Sequence, residues 1–554
     1  MSKFVFVVGG VMSSIGKGAT SASISKTVQL NGYKVNNVKC DMYVNIDAGT
    51  IRPAEHGEVF VTEDGIETDQ DLGTYERFTG NKTSWLNYIT TGQVYQEVIR
   101  KERNLEYGGE DVEVVPDVPN EIIRRIKLAQ KKNGADVTVI EIGGTVGEYQ
   151  VLLFLEAARM LRLENPDDVA FVIVSYLPVP KHLGEMKTKP TQYAVRSLNA
   201  TGIQPDFIIA RGECAIDEKR RQILAHMCNL PKENVIGAPD LDSIYNLPTM
   251  FQEQELDKKI FKTLNLEPKP VMDQDWKNFG IQLNKKKEPI KIALVGKYFK
   301  TGGFTLADTY ISVIEAAKHA AWANNRTPEF SWLNADDFTD KSNCSKLAEY
   351  ESIIVPGGFG ERDVEGTINA IQFIRENKIP YLGICYGMQL ACIEFARNVL
   401  GIKDATTAEV DPQSNSAIIH VNEVQAANID QKAFGGTLRK GLYEATLDTN
   451  SKTYAAYGQK AIWERHRHRY EFNNKYKSQF TEAGMKLVGI NNLNDLVEIV
   501  ELENHPFFVG VQFHPEFQSS PLHPHKLFDK LVKEATIRTI PSVNKTNQHK
   551  EEQI

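Results

Sequence analysis

Three stretches of this chain hold side chains that could make or break a covalent bond. In Tyr381-Leu-Gly383-Ile-Cys385-Tyr386-Gly387-Met-Gln389, a hydrophobic strand runs into a small-x-Cys-x-small turn and then a helix. This is the logic of a nucleophile elbow with cysteine in place of serine: the sharp turn lifts the side chain clear, and the helix start favours an anionic thiolate. Such a nucleophile needs a base. Gly510-Val-Gln-Phe513-His514-Pro-Glu516 carries a histidine and a carboxylate two residues on. A strand period of two predicts both on one side, with one as base and the other as its orienter. A third strand enters Pro356-Gly357-Gly358-Phe-Gly360. A backbone N–H there, with that of Tyr386, would supply an oxyanion hole.

Phosphate chemistry is written at the other end of the chain. Gly9-Gly10-Val-Met-Ser13-Ser14-Ile15-Gly16-Lys17-Gly18 follows an apolar run and precedes a helix. Glycines let successive N–H groups face inward, the helix start adds positive potential, and Lys17 can reach phosphate oxygens. The spacing is one residue longer than a strict Walker A motif, and Gly18 stands where Ser or Thr would bind magnesium. Carboxylates must then hold the metal, and Asp71 and Glu141, near strand ends, are the candidates. The run Gly184-Glu-Met-Lys187-Thr188-Lys189-Pro190-Thr191-Gln192 offers many donors to an anionic ligand, with Pro190 limiting the loop's freedom.

The elements that must position these residues alternate in type. Phe4–Val8, Val35–Lys39, Val137–Ile142, Ala170–Ser175 and Phe207–Ala210 read as buried strands, with helices over Ala19–Leu30, Tyr149–Leu163 and Lys219–Cys228. The pattern dissolves between Leu266 and Pro289, which reads as a linker. It restarts with strands Ile290–Val295, Ser352–Val355 and Tyr381–Ile384 and helices over Leu306–Ala323, Val364–Glu376 and Gly387–Val399. Two doubly wound α/β domains with parallel sheets are expected, over 1–266 and 290–536, separated by a linker at 267–289 and followed by a polar, disordered tail at 537–554.

Composition removes other classes. The 554 residues are 41% hydrophobic and 25% charged, with a formal net charge of -8, which argues against a duplex-binding surface, and no nucleic-acid-binding signature is present. No run approaches the roughly 18 apolar residues of a spanning helix, so no membrane is expected. The N-terminus lacks a secretory pattern, and the six cysteines form no CxxC pair, so a reducing, cytoplasmic location is expected.

Taken together, GGVMSSIGKG, KTKPTQ, PGGFG, LGICYGMQ, RHRHRYE and FHPEF resemble the CTP synthase family from about residue 2 to residue 536, and the second domain alone resembles the class I glutamine amidotransferases. The resemblance implies an enzyme that phosphorylates the 4-oxygen of UTP with magnesium-ATP and replaces the phosphate with ammonia tunnelled from glutamine hydrolysis. It implies Cys385 as nucleophile, His514 as base and Glu516 as its orienter, with Gly358 and Tyr386 as oxyanion donors and Gln389, Glu409 and Arg469 on glutamine. It assigns ATP to Ser13, Ser14, Ile15, Gly16, Lys17, Gly18, Lys39 and Asp71, and Mg2+ to Asp71 and Glu141. UTP or CTP falls to Ser13, Glu148, Tyr149, Gln150 and the loop Lys187, Thr188, Lys189, Pro190, Thr191 and Gln192. GTP activation, CTP feedback inhibition and a homotetramer are also implied, with filament formation left open.

The sequence departs from the family pattern at Glu148-Tyr149-Gln150 and at Ile223, where a lysine is usual. It departs also at Asp117, where a histidine is usual, at Asn104 to Gly109, and in the longer loop Lys300 to Phe304. These bear on nucleotide discrimination and GTP coupling, not on the core chemistry. Two other readings compete: a different ATP-dependent amidoligase of the same plan, such as a cobyrinic acid amide synthase, and a non-catalytic nucleotide-binding assembly subunit. KTKPTQ and YVNIDAGTIRPAEHGEVFV weigh against the first, and the intact triad and Lys17 against the second.

Overall fold

The computed structural model describes residues 2–182, 184–269, 274–297, 300–301, 304–305, 307–360, 363–421 and 438–538. The tail beyond residue 538, Leu306 and most of the loop after Lys297 lie outside the described residues. Two compact units divide the chain, one mainly of Val59–Lys285 with the preceding chain up to Arg52, the other mainly of Lys286–Ser519.

In the first unit a single parallel sheet of seven strands runs in the order Tyr88–Thr90, Val35–Asp41, Val137–Ile142, Lys3–Gly10, Val169–Tyr176, Phe207–Gly212, Val235–Pro239. The Lys3–Gly10 strand is buried at every position. Phe4, Phe6 and Val8 pack into one core with Ile140, Phe171 and Ile173, while Val5 and Val7 pack into a second with Val28, Val139 and Val172. A strand covered on both faces shows no apolar-polar alternation, so its sequence is a continuous apolar run. The two edge strands, Tyr88–Thr90 and Val235–Pro239, were not among the expected elements: each is short and merges with its flanking turns.

The segment expected as a linker contains a helix, Gln274–Leu283, that ends inside the first unit. Trp276 is 2% exposed and packs among Phe78, Tyr245 and Phe279. Three prolines and a lysine cluster hid it; one buried indole, with Lys26 above its ring at 4.8 Å, anchors so short a helix.

The second unit's sheet is mixed. Arg326–Asn334, Glu288–Gly296, Ser352–Val355, Tyr381–Ile384 and Phe508–Val511 run parallel, and Leu496–Leu502, Met485–Asn491, Arg439–Leu447 and Ala461–His468 then extend it antiparallel to a ninth strand. The expectation of a parallel sheet therefore holds for only its first five strands. Hairpin-type connections join most of the remainder, which therefore need no crossover helix. The helix expected from Leu306 begins at Ile311, after a 3-10 turn at Ala307–Tyr310, and the one expected from Tyr149 begins at Leu152.

Candidate active sites

The first site collects at the carboxyl ends of the central strands of the first sheet, where ligands bind in open α/β sheets. Lys3–Gly10 ends in the phosphate-type loop, with Met12, Ser13 and Ser14 exposed at its tip and Gly16, at φ +87°, turning the chain into the Lys17–Leu30 helix. Gly18 has a steric reason to lack a side chain: a Cβ there would lie 1.9 Å from Asp71 Oδ1. The loop and Asp71 are in direct contact at this point. Gly10 brings in the second motif, because a Cβ on it would sit 2.6 Å from that of Ala194, on the Lys189–Ala200 helix.

Lys17 Nζ donates to Gly144 O at 2.9 Å, and burial pulls its ammonium below the usual lysine range against the pull of Glu141. Lys39 lies deeper. Its Nζ pairs with Asp71 and, at 2.9 Å, with Glu141 Oε1, while Asp41 and Asp69 each stand 3.9 Å away. Burial opposes the charge, but Asp69, Asp71, Glu141 and Asp41 outweigh it and hold the ammonium well above its usual range. Tyr75 donates its hydroxyl to Glu141 Oε2 at 2.5 Å. The carboxyls gathered around this ammonium offer hard oxygen donors, the kind that Mg2+ takes.

The Lys187 to Gln192 stretch, expected as a loop, divides. Lys189–Ala200 is a helix with Pro190 in its first turn, so Lys189 to Gln192 form a helix N-terminus, a better anion site than a loop. Thr191 is fully buried and joined to Ser175 Oγ at 2.8 Å; it holds the helix to the sheet. Lys187 pairs with Glu185 at 2.7 Å, and Gln192 donates to Thr188 Oγ1 at 3.0 Å. Glu148 accepts from the Thr145 backbone at 2.8 Å and from Gln150 Nε2 at 2.8 Å, while Tyr149 is 93% exposed. Ile223 points partly to solvent, and Arg220 reaches Met186 O at 2.7 Å, bracing the basic stretch. Asp117 accepts from the Glu113 N–H at 2.8 Å. Sequence reasoning missed Arg211, which ties Ile15 O to Ala238 O and Asp240. A single arginine at a strand end carries no local signal.

The second site lies at two adjacent parallel strand ends, where Ile384 is registered with Val511. Cys385 N donates to Val511 O at 2.6 Å, and Cys385 takes φ +50°, ψ -99°, a strained conformation for a residue with a Cβ. Gly383 and Gly387 permit the turn: a Cβ at Gly387 would lie 2.2 Å from Val355 O. Tyr386 begins the following helix, so its N–H has no acceptor within that helix. Gly357 allows the base to approach, since a Cβ there would stand 2.9 Å from His514 Cε1 and 3.8 Å from Cys385 Cβ.

His514 Nδ1 and Glu516 Oε1 are 2.7 Å apart. The reason is not strand alternation, for the strand stops at Val511 and Pro515–Gln518 is a 3-10 turn that folds the carboxylate back onto the ring. Burial disfavours the imidazolium, but Glu516 and the Cys385 sulfur outweigh it and raise the ring to about 10. The Pro356 to Gly360 loop is clamped on three sides. Glu409 Oε1 accepts from Gly360 N at 2.8 Å, and Tyr386 Oη and Lys297 Nζ both donate to Gly360 O at 2.8 Å. Lys297, 4.2 Å from the centre of the Tyr386 ring, was not anticipated. Burial raises the Glu409 carboxyl, while the Gly360 N–H, Lys297 and Arg469 pull the other way, so Arg469 lies within electrostatic reach. Gln389 donates to Tyr470 O at 2.9 Å.

Both sites thus stand at the carboxyl ends of parallel strands, and comparison with known proteins agrees. Residues 3–266 match the family model described as CTP synthase N-terminus, and residues 305–534 match glutamine amidotransferase class-I. A CTP synthase of Prochlorococcus marinus (strain AS9601) is 46% identical over 534 residues, 96% of this chain and 98% of that protein. The chain belongs to the CTP synthase family. CTP synthases of Picosynechococcus sp. (strain PCC 7002) and Clostridium acetobutylicum are each 45% identical, over 97% and 96% of this chain and 96% and 98% of their own lengths. A solved glutaminase domain of Trypanosoma brucei CTPS with bound acivicin is 31% identical, with a TM-score of 0.41 over 46% of this chain and 96% of that one. Among the described residues no helix is long and apolar enough to cross a membrane.

Proposed function

We propose the following division of labour for the glutamine-dependent CTP synthesis that family membership gives this chain. The Cys385 thiolate attacks the amide carbon of glutamine, and the N–H groups of Gly358 and Tyr386 receive the developing oxyanion. His514, held as imidazolium by Glu516, protonates the amide nitrogen as its bond to carbon breaks, so that it leaves as ammonia, and then takes a proton from the water that cleaves the thioester, releasing glutamate. Gln389, Glu409 and Arg469 bind the glutamine. The observation that carries this half is the 2.7 Å His514–Glu516 pair beside the strained Cys385.

In the first unit ATP lies along Ser13 to Gly18, with Lys17 and Lys39 countering phosphate charge. UTP lies against Ser13, Glu148 to Gln150 and the helix start at Lys187 to Gln192. Asp71 and Glu141 would hold Mg2+, which supplies charge neutralisation at the phosphates when bound. A keto oxygen leaves poorly; phosphorylated, it leaves as phosphate when ammonia adds to the ring carbon. The same reading includes GTP activation, CTP feedback inhibition, a homotetramer, a cytoplasmic location, and domains at 1–266 and 290–536, and leaves filament formation open. The deciding experiment is CTP formation from UTP and ATP with glutamine or ammonia; no CTP from either nitrogen source rejects the reading.

Two measurements test particular residues. Glu516→Gln leaves the burial of His514 unopposed by its carboxylate, so the ring loses its proton at lower pH. In the parent the pairing is fully present below about pH 6.5 and fades as pH rises through about 10. The alkaline limb of glutamine hydrolysis should therefore move down in the variant. Losing one hydrogen bond to a charged group costs roughly tenfold to hundredfold at pH 8. An unchanged pH profile counts against the assignment. Asp71→Asn and Glu141→Gln should each raise the magnesium concentration needed for half-maximal synthesis from ammonia; equal magnesium dependence in parent and variants removes them as ligands.

A further inference from the structure

The residue just past the end of the Phe508–Val511 strand has no role in the mechanism above, yet its side chain touches the nucleophile. Gln512 is 1% exposed, and its Nε2 lies 3.6 Å from Cys385 Sγ, within hydrogen-bonding range for sulfur. Its backbone is pinned by a 2.8 Å bond from Gln512 N to Glu498 O.

The orientation of the amide follows from a chain of obligatory partners. Tyr470 O can only accept, so Gln389 must present Nε2 to it, at 2.9 Å. That nitrogen's second hydrogen reaches Gln512 Oε1 at 3.2 Å. With its oxygen so engaged, Gln512 turns its NH2 toward the sulfur. The far side of Tyr470 O is held in the same sense. His468 Nδ1 lies 3.2 Å from it and must be the donor, which leaves Nε2 to accept from His466 Nδ1 at 3.0 Å. Burial, with Arg439 adding to it, pushes both imidazoles well below their usual range, so the pair is neutral and this tautomer persists. The two rings and Glu498 lie close enough together to suggest a metal cluster. However, Arg439 Nη2 lies 2.7 Å from Glu498 Oε1, and the ring nitrogens already bond each other.

We propose that Gln512 is a further catalytic residue of the glutamine-hydrolysing site, its amide N–H donating to the Cys385 sulfur in an orientation set by Gln389. The inference rests on the proposed glutaminase chemistry. It gives Gln389, assigned to glutamine binding, a second role, which is to couple the substrate's binding groups to the donor that steadies the nucleophile. A thiolate is large and weakly solvated by protein dipoles, and a fixed N–H in a buried site is worth more to it than to a neutral thiol.

The test uses the full-length chain carrying Gln512→Met, which keeps length and loses the donor, and Gln512→Glu, which keeps shape and puts oxygen against the sulfur. Iodoacetamide labelling, read on the Cys385 peptide by mass spectrometry because the exposed Cys214 would be labelled too, gives alkylation rate against pH. For Gln512→Met, glutamine kcat should fall roughly tenfold to hundredfold with KM little changed, and the alkylation profile should move to higher pH. Gln512→Glu should be slower still, through like-charge repulsion, while both variants keep ammonia-dependent CTP synthesis. Unchanged turnover with an unchanged profile overturns the proposal. A rise in KM alone also overturns it, since that marks a substrate contact, and so does an equal fall with both nitrogen sources, which marks a structural residue. Failure of the glutaminase reading itself would be distinct: the parent would then hydrolyse no glutamine, or Cys385→Ala would still do so.

Discussion

Cys385→Ala removes glutamine-dependent CTP formation and leaves ammonia-dependent synthesis close to that of the parent. In the proposed division of labour Cys385 serves only to release ammonia, and the residues proposed to hold UTP and ATP belong to a different sheet. Deleting a nucleophile that works in a triad costs on the order of 10^6-fold in turnover, because the remaining members have nothing to activate. Alanine retains the Cβ, so the backbone at φ +50° is as strained as before, and the elbow keeps its shape. The measurement is initial rate with each nitrogen source at saturating UTP and ATP. If the folded variant lost ammonia-dependent activity too, the separation of the two sites would be wrong.

Lys17→Ala should instead abolish synthesis from both sources. Its ammonium sits at the start of the helix that follows the loop, 2.9 Å from Gly144 O and within electrostatic reach of Glu141 and Asp71, where charge on a transferring phosphoryl group would develop. Removing a preorganised donor at such a place typically costs about 10^2- to 10^3-fold. Glutamine hydrolysis measured alone should survive in the variant, which separates a lost phosphate contact from general unfolding. Near-normal turnover with ammonia would show that the loop is structural.

Much of this was legible because strands buried on both faces appear as apolar runs and because glycine turns mark their ends. Lys3–Gly10 and Tyr381–Ile384 are of that kind. What was hidden depends on contacts remote in sequence. Gln512 looked like one more residue of a strand, and its role appears only once Gln389, 123 positions away, is seen to orient it. Lys297 and Arg211 grip loops through carbonyl oxygens, which leave no mark on the loop sequence. The His514–Glu516 pair was correctly joined on an incorrect premise, since Pro515 ends the extended chain and a 3-10 turn brings the carboxylate round. The Gln274–Leu283 helix was lost among prolines and lysines because a single buried tryptophan holds it.

The register of Ile384 with Val511 also has a meaning in time. Synthesis proceeds from the N-terminus, and domains generally fold as units in that order. All seven strands of the first sheet have been made by Pro239, whereas His514 and Glu516, the proposed base and its orienter, arrive late in the second unit. Cys385 therefore waits through more than a hundred residues of further synthesis, with the separation from Gln512 standing at 127 positions, before the His514–Glu516 pair can meet it. A molecule halted on the way carries a thiol with no partner. On the proposed reading such fragments would spill no ammonia in the cell, because the pair that releases it is completed only late in synthesis.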